Sequence, residues 1–300
     1  MYKRILLPVD GSRLSEGILP YARSLARTLD IPVELFYVID PETIMPSLVA
    51  KYGRYDNVLT AEREDRRDYL RKLATSFLAS VAVDCSVDVG KPAEAIIDKA
   101  GASSDTVIAM ATHGHSGINR WLLGSVAGKV LHAAANDMLL VRPTEETRNA
   151  EAALPNRILV PLDGSRLAES AIPHAVELAR KLNVELALVR VYGLPTPGYP
   201  EGYVPDLGPL WEQVRKESQD YLEEKAGQLR KEGLERVSSV VLEGNAAEKI
   251  IDLAEERPQN LIVMCTHGRT GVVRWLLGSV TDRVVRHSAT PILVIRATTK

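Results

Sequence analysis

Two phrases in the chain have the residue types and spacing of an anion-binding device. "ATHGHSGINRWLLGSV" runs from Ala111 to Val126, and "CTHGRTGVVRWLLGSV" runs from Cys265 to Val280. In each, a glycine (Gly114 or Gly268) is followed by nine residues and then a glycine–serine pair, Gly124-Ser125 or Gly278-Ser279. Glycine lets backbone N–H groups approach a ligand closely. A serine at the start of a helix adds a hydroxyl to the unpaired amides and positive dipole end found there. The chemistry implied is capture of an anion, most naturally a phosphate. The dipole alone contributes only ~0.3–1 kcal/mol, so several aligned amides are needed, which accounts for the strict spacing.

A second pair of phrases supplies a carboxylate. "RILLPVDGSRLSE" (Arg4–Glu16) and "RILVPLDGSRLAE" (Arg157–Glu169) agree at 10 of 13 positions, and the glycine phrases agree at 11 of 16. Asp10 and Asp163 each follow a short apolar run. A carboxylate at a strand end can accept hydrogen bonds from ribose hydroxyls or help hold Mg2+ beside phosphates. Taken singly, Gly-Ser before a helix is ordinary capping and Asp-Gly-Ser is ordinary turn chemistry. Both motifs, twice and in the same order, favour a nucleotide pocket.

Other chemistries find less support. His113 and His267 follow a strand but have no second ligand at zinc-type spacing, so a loop-shaping role is favoured. "GSVAGKV" (Gly124–Val130) departs from a Walker A loop, because its glycines are too close and no Ser or Thr follows the lysine. No base positioned to activate water is evident, so no catalytic residue and no dedicated metal site are assigned. Trp121 and Trp275 read as packing anchors, Arg120 and Arg274 as phosphate-reaching or simply exposed cations, and Cys265 as a small buried or pocket residue.

The elements that must position these residues follow from periodicity. Arg4–Val9 is a continuous apolar run of buried-strand type. Arg13–Leu29 predicts one helix capped by Ser12, and Val33–Ile39 a second strand. A helix then places Leu70, Leu73, Phe77 and Leu78 on one side. Strands at Val81–Val89, Thr106–Ala111 and Met138–Val141 alternate with helices opening at Pro92 and Ser125. The second half repeats this, with helices near Leu167–Leu182, Trp211–Lys231, Ala246–Glu255 and Ser279–His287. Alternating strands and helices predict a parallel sheet covered on both faces, in a doubly wound topology. Ligands bind such sheets beyond the strand carboxyl ends, where strand order reverses. Spacing leaves the order open; order 3-2-1-4-5 would bring both motifs to that point.

Bulk properties bound the rest. The chain has 300 residues, net charge −2 and an isoelectric point of about 6.3. That length suits two domains, expected at residues 1–146 and 156–300 with a linker at 147–155. No basic run suggests nucleic acid and no long apolar stretch suggests a membrane. Two cysteines without a pairing pattern suggest a reducing, cytoplasmic setting.

These motifs together make the sequence resemble the universal stress protein family in its tandem form, over nearly the whole chain. The resemblance implies two doubly wound α/β domains, each a five-stranded parallel sheet of order 3-2-1-4-5 with helices on both faces. ATP-binding members carry G-x-x-G, nine residues, then G-[ST]. Here the motif's first glycine is replaced by Ala111 and by Cys265; cysteine in particular would crowd the ribose. The implied ligand is ATP with Mg2+, or another adenine nucleotide such as AMP or cyclic AMP, with the base near Val38–Ile39 and Val191–Tyr192. The implied pockets are Pro8, Val9, Asp10, Val38, Ala111, Gly114, Gly124, Ser125 and Val126 in one unit. In the other they are Pro161, Leu162, Asp163, Val191, Cys265, Gly268, Gly278, Ser279 and Val280. The family also pairs subunits through the fifth strand, which implies an intramolecular pseudo-dimer here and allows a homodimer of the whole chain. The rival readings are a scaffold whose pockets bind no nucleotide, a slow ATPase, and an adenine-nucleotide enzyme of the same broad fold group.

Overall fold

The structure, a computed structural model, describes residues 2–42, 55–112, 123–142, 155–193, 207–257, 259–266 and 277–296. Two compact units emerge, residues 1–154 with 291–296 and residues 155–290 with 297–300. The expected linker lies mostly outside the described residues.

The first unit runs β1 (Arg4–Pro8), α1 (Arg13–Glu16), α2 (Leu19–Leu29), β2 (Val33–Ile39), α3 (Tyr55–Phe77), β3 (Val83–Val89), α4 (Pro92–Gly101), β4 (Thr106–Ala111), α5 (Ser125–Ala133) and β5 (Met138–Val141). Its strands are parallel in the order β3-β2-β1-β4-β5. The order reverses between β1 and β4, so the chain leaves those two neighbouring strands toward opposite faces. The helices pack as two pairs, α2 with α3 and α4 with α5, that cover the two faces of the sheet. Burial on both sides explains the unbroken apolar strands: Ile5, Leu6 and Leu7 are fully buried, as are Val107, Ile108 and Ala109.

The second unit runs β6 (Arg157–Pro161), α6 (Arg166–Glu169), α7 (Ile172–Leu182), β7 (Glu185–Tyr192), α8 (Gly208–Lys231), β8 (Val237–Glu243), α9 (Ala246–Glu255), β9 (Asn260–Cys265) and α10 (Ser279–His287). Its strands follow the same parallel order, β8-β7-β6-β9. The last strand, β10 (Ile292–Ile295), lies antiparallel to β5 in the first unit, with Leu293 opposite Leu139. Asp137 secures it there, accepting from the Arg296 amide at 2.7 Å and from the Tyr2 hydroxyl at 2.6 Å.

Two sequence expectations need correction. The helix expected over Arg13–Leu29 is two helices, and the one expected over Leu167–Leu182 is likewise split. Pro20 and Pro173 have no N–H to bond the carbonyls of Glu16 and Glu169, so the first helix stops there and the proline opens the next. Phe77 does not join the core: it is 40% exposed at the end of α3, and Leu78, just beyond the helix, is fully buried instead. Both α2 and α7 end on left-handed residues that tolerate that conformation, Asp30 (φ 57°) and Asn183 (φ 52°). Among the described residues no helix is long and apolar enough to cross a membrane.

Candidate functional site

The Asp-Gly-Ser phrase folds as a turn off the end of the first strand. Gly11 and Gly164 take φ of 80° and 87°, the left-handed region where a side chain would be strained. The carboxylate of Asp10 accepts from the Ser12 amide at 2.9 Å and the Ser12 hydroxyl at 2.6 Å. Asp163 accepts from the Ser165 amide at 2.9 Å. Each serine then caps its short helix, accepting from the Ser15 or Ala168 amide at 3.1 Å. The turn chemistry and the pocket reading therefore coexist, since the same hydrogen bonds that shape the turn fix the carboxylate at the strand tip.

The Gly-Ser pairs open the helices that follow the fourth strand of each repeat. Gly124 donates to the Thr112 carbonyl at 2.8 Å and Gly278 to the Thr266 carbonyl at 2.7 Å, which brings each helix start back to the strand end. Ser125 and Ser279 are the first helical residues. The backbone at the two glycines, φ −56° and −61° with ψ 149° and 144°, is open to any residue. Glycine is therefore not required at either position for an unusual dihedral. Ala111 and Cys265 end β4 and β9 in extended backbone and are buried, so neither replacement of the motif's first glycine strains the chain. Thr281 donates its hydroxyl to the Cys265 carbonyl at 2.8 Å, tying the start of α10 to the end of β9.

In the second unit these pieces line a cavity of 250 Å3, just below the ~300–1,000 Å3 usual for small-ligand pockets. Its walls include Pro161, Leu162, Asp163, Val191, Cys265, Gly278, Ser279 and Val280, which are all the described residues that the sequence assigned to this pocket. Ala168, Val189, Ala246, Ile250, Met264 and Thr281 complete the lining and were missed. Their signal was weak but present: Val189 shares a strand face with Val191 at a spacing of two, and Ala246 and Ile250 lie one helical turn apart. Charge and hydroxyl groups gather at the β6 and α10 end, while Val189, Val191, Ile250 and Met264 form an apolar wall.

The first unit places Pro8, Val9, Asp10, Val38, Ala111, Gly124, Ser125 and Val126 at the matching positions of β1, β2, β4 and α5. Val9 donates to Phe36 O at 2.9 Å just as Leu162 donates to Val189 O at 2.7 Å. Gly114, Gly268, His113, His267, Arg120, Arg274, Trp121 and Trp275 lie outside the described residues. Among the described residues no group of three or more His, Cys, Asp or Glu is arranged to hold a metal ion. A larger groove of 740 Å3 lies between α7 and α8, away from the strand tips. Its charged residues pair with their neighbours, Lys225 with Glu169 and Lys181 with Glu177, and it brings no motif residue other than Glu169 into its walls.

In each unit the long helix braces the short helix that follows the first strand. The Tyr69 hydroxyl donates to Glu16 at 2.8 Å, and the Tyr221 hydroxyl to Glu169 at 2.8 Å. Nearby, the Arg66 guanidinium lies 5.0 Å over the Tyr37 ring, and that of Arg190 lies 4.7 Å over the Tyr221 ring. Burial first, then the hydrogen bond to a carboxylate, pushes both the Tyr69 and Tyr221 phenols well above the ordinary tyrosine range. A raised acid favours the fold while the unfolded chain's phenol is still protonated, and the benefit is lost as pH rises beyond about 10. Titration followed by tyrosinate absorbance is expected to leave a late-ionising fraction, to which Tyr21, Tyr37 and Tyr192 also contribute, and which loses its latest part in Tyr69→Phe/Tyr221→Phe. Simultaneous ionisation of all ten tyrosines near pH 10 would contradict the bracing.

Comparison with known proteins agrees with this architecture. The model of the universal stress protein family matches twice, over residues 1–142 and 155–296. A universal stress protein of Mycolicibacterium smegmatis is 28% identical over 300 residues, covering 97% of this chain and 96% of its own. One from Methanocaldococcus jannaschii, MJ0531, is 34% identical over 150 residues, covering 50% of this chain and 86% of its own. Among solved structures, a universal stress protein from Archaeoglobus fulgidus superposes with a TM-score of 0.69 at 23% identity, covering 98% of this chain and 96% of that one. With the strand order, the duplicated motifs and two family matches in agreement, the chain belongs to the universal stress protein family, with two copies of the family's unit in tandem.

Proposed function

We propose that the protein binds an adenine nucleotide, ATP with Mg2+, at the switch-point crevice of one or both units, and acts as a nucleotide-dependent regulator in a cytosolic stress response. The observation that carries this reading is the 250 Å3 cavity whose walls combine the Asp-Gly-Ser strand end with the Gly-Ser helix start. The donor set suits the ligand. Backbone amides and the Ser279 hydroxyl at the start of α10 would face the phosphates. Asp163 would take the ribose hydroxyls or Mg2+, and the apolar wall with Val191 would take the base. The corresponding set in the first unit is Ser125, Asp10 and Val38. Bound Mg2+ would neutralise phosphate charge.

The residues named in each unit would hold and orient the nucleotide, and none of the described ones is assigned a role in activating water. Regulation then follows from the ligand's unequal affinity for two states of the protein. Pairing of β10 with β5 supports reading the chain as an intramolecular pseudo-dimer; light scattering of the full chain would reveal any further homodimer.

Mass spectrometry of nucleotide released on denaturing the purified protein is expected to find ATP, with AMP or cyclic AMP as the alternatives to be distinguished. ATP with Mg2+ at 100 times its Kd should stabilise the fold by about 2.7 kcal/mol. No nucleotide and no thermal shift would leave the scaffold reading in its place. Rapid release of inorganic phosphate would instead favour an enzyme.

A further inference from the structure

We propose that the two crevices are chemically inequivalent, and that Ser15 makes the first bind adenine nucleotide more tightly than the second. This rests on the nucleotide reading above.

The second cavity is walled on one side by Ala168 of α6 and on another by Cys265 of β9. The residues at the same places in the first repeat are Ser15 of α1 and Ala111 of β4. Both short helices pack against the strand concerned, α1 on β4 and α6 on β9. A polar side-chain atom therefore sits on the helix wall in one unit and on the strand wall in the other. The exchange also offsets volume, because the smaller Ala168 stands where Cys265 is the larger neighbour, and the second crevice stays open.

The two polar atoms do different work. Ser15 Oγ donates to the Ser12 carbonyl at 2.9 Å and accepts from the Asp10 amide at 3.2 Å. It thus bridges both sides of the turn that carries the Asp10 carboxylate, which Ser12 already holds through two hydrogen bonds. Ala168 has no hydroxyl to make that bridge. The second unit spends its hydroxyl elsewhere: Ser170, where the first repeat has Gly17, donates to the Leu167 carbonyl at 2.6 Å and lies 3.4 Å from the Cys265 sulfur. That bond secures the α6–α7 junction and the thiol, not the Asp163 turn. A carboxylate ordered before binding loses less freedom when the ligand arrives. One bridging hydrogen bond corresponds to roughly three- to tenfold in affinity.

The test is calorimetric titration of the full chain with ATP and Mg2+. Gly278→Val leaves the first crevice to report, and Gly124→Val leaves the second. The expected result is roughly three- to tenfold tighter binding in the Gly278→Val chain, with the advantage removed by Ser15→Ala in that background. In the Gly124→Val background, Ala168→Ser/Cys265→Ala should tighten the second crevice toward the first. Equal affinities, a tighter second crevice, or indifference to Ser15→Ala would each overturn the inference while sparing nucleotide binding. Binding by the wild type that is lost in both single variants would also overturn it, since the crevices would then not act separately. Circular dichroism of each variant separates such losses from misfolding. A wild-type chain that binds no nucleotide at all would instead sink the functional reading beneath it.

Discussion

Replacing Gly124 and Gly278 together with valine is expected to abolish stabilisation by ATP while leaving the fold in place. The backbone at both positions is extended, with φ of −56° and −61°, so a β-branched residue fits without dihedral strain. Valine is a poorer helix N-cap than glycine, at a cost of about 1 kcal/mol per helix. The effect on ligand is larger. Gly278 lines the cavity next to Ser279, and three added carbons would stand where a phosphate must approach the first amides of α10. The stabilisation lost is about 2.7 kcal/mol at 100 times Kd, or roughly 5–10 °C in Tm for a domain of this size. Scanning calorimetry with and without ATP and Mg2+ measures it, and circular dichroism checks the fold. A double variant that still responds fully to ATP would show that the helix starts are not where the phosphates bind.

The second large effect is expected far along the chain from the residue changed. Leu293→Ala removes a side chain that is 1% exposed and faces Leu139 across the antiparallel β5–β10 pair. A buried Leu→Ala change typically costs about 2–5 kcal/mol. Although residue 293 belongs to the second repeat by sequence, its strand completes the first unit. The lost stability should therefore appear as faster amide exchange in β5, which is sampled by peptides covering Met138–Val141. Deleting residues 291–300 should go further, exposing the apolar edge of β5 and promoting aggregation. Unchanged protection in β5 after Leu293→Ala would mean that β10 contributes little to the first unit.

Much of this molecule is written locally. Apolar runs such as Ile5–Leu7 mark strands buried on both faces, because such strands leave no room for polar side chains. The Asp-Gly-Ser turns follow from one glycine's conformational freedom and one serine's capping bond. The helix starts at Ser125 and Ser279 obey no such rule, since neither glycine needs a left-handed backbone and no side chain caps either helix; duplication reveals them because each motif occurs twice. The break before Pro20 and Pro173 is local too, since it needs nothing beyond a missing N–H, although the helical spacing of the apolar residues read through it.

Only the tertiary structure decided the rest. Tyr69 and Glu16 are 53 residues apart, and no periodicity links them. Ala168, Val189, Ile250 and Met264 meet in one cavity because four separate elements converge beside the carboxyl ends of neighbouring strands, a matter of register and packing across layers. Nor could composition distinguish Ser15, which clamps a turn, from Ala168, which does not, until the neighbours of each were known. The sequence by itself determined the repeated unit and its motifs, since turns, caps and strand burial depend on near neighbours. Which walls those motifs share, and which unit the last strand completes, depended on contacts between residues far apart in the chain.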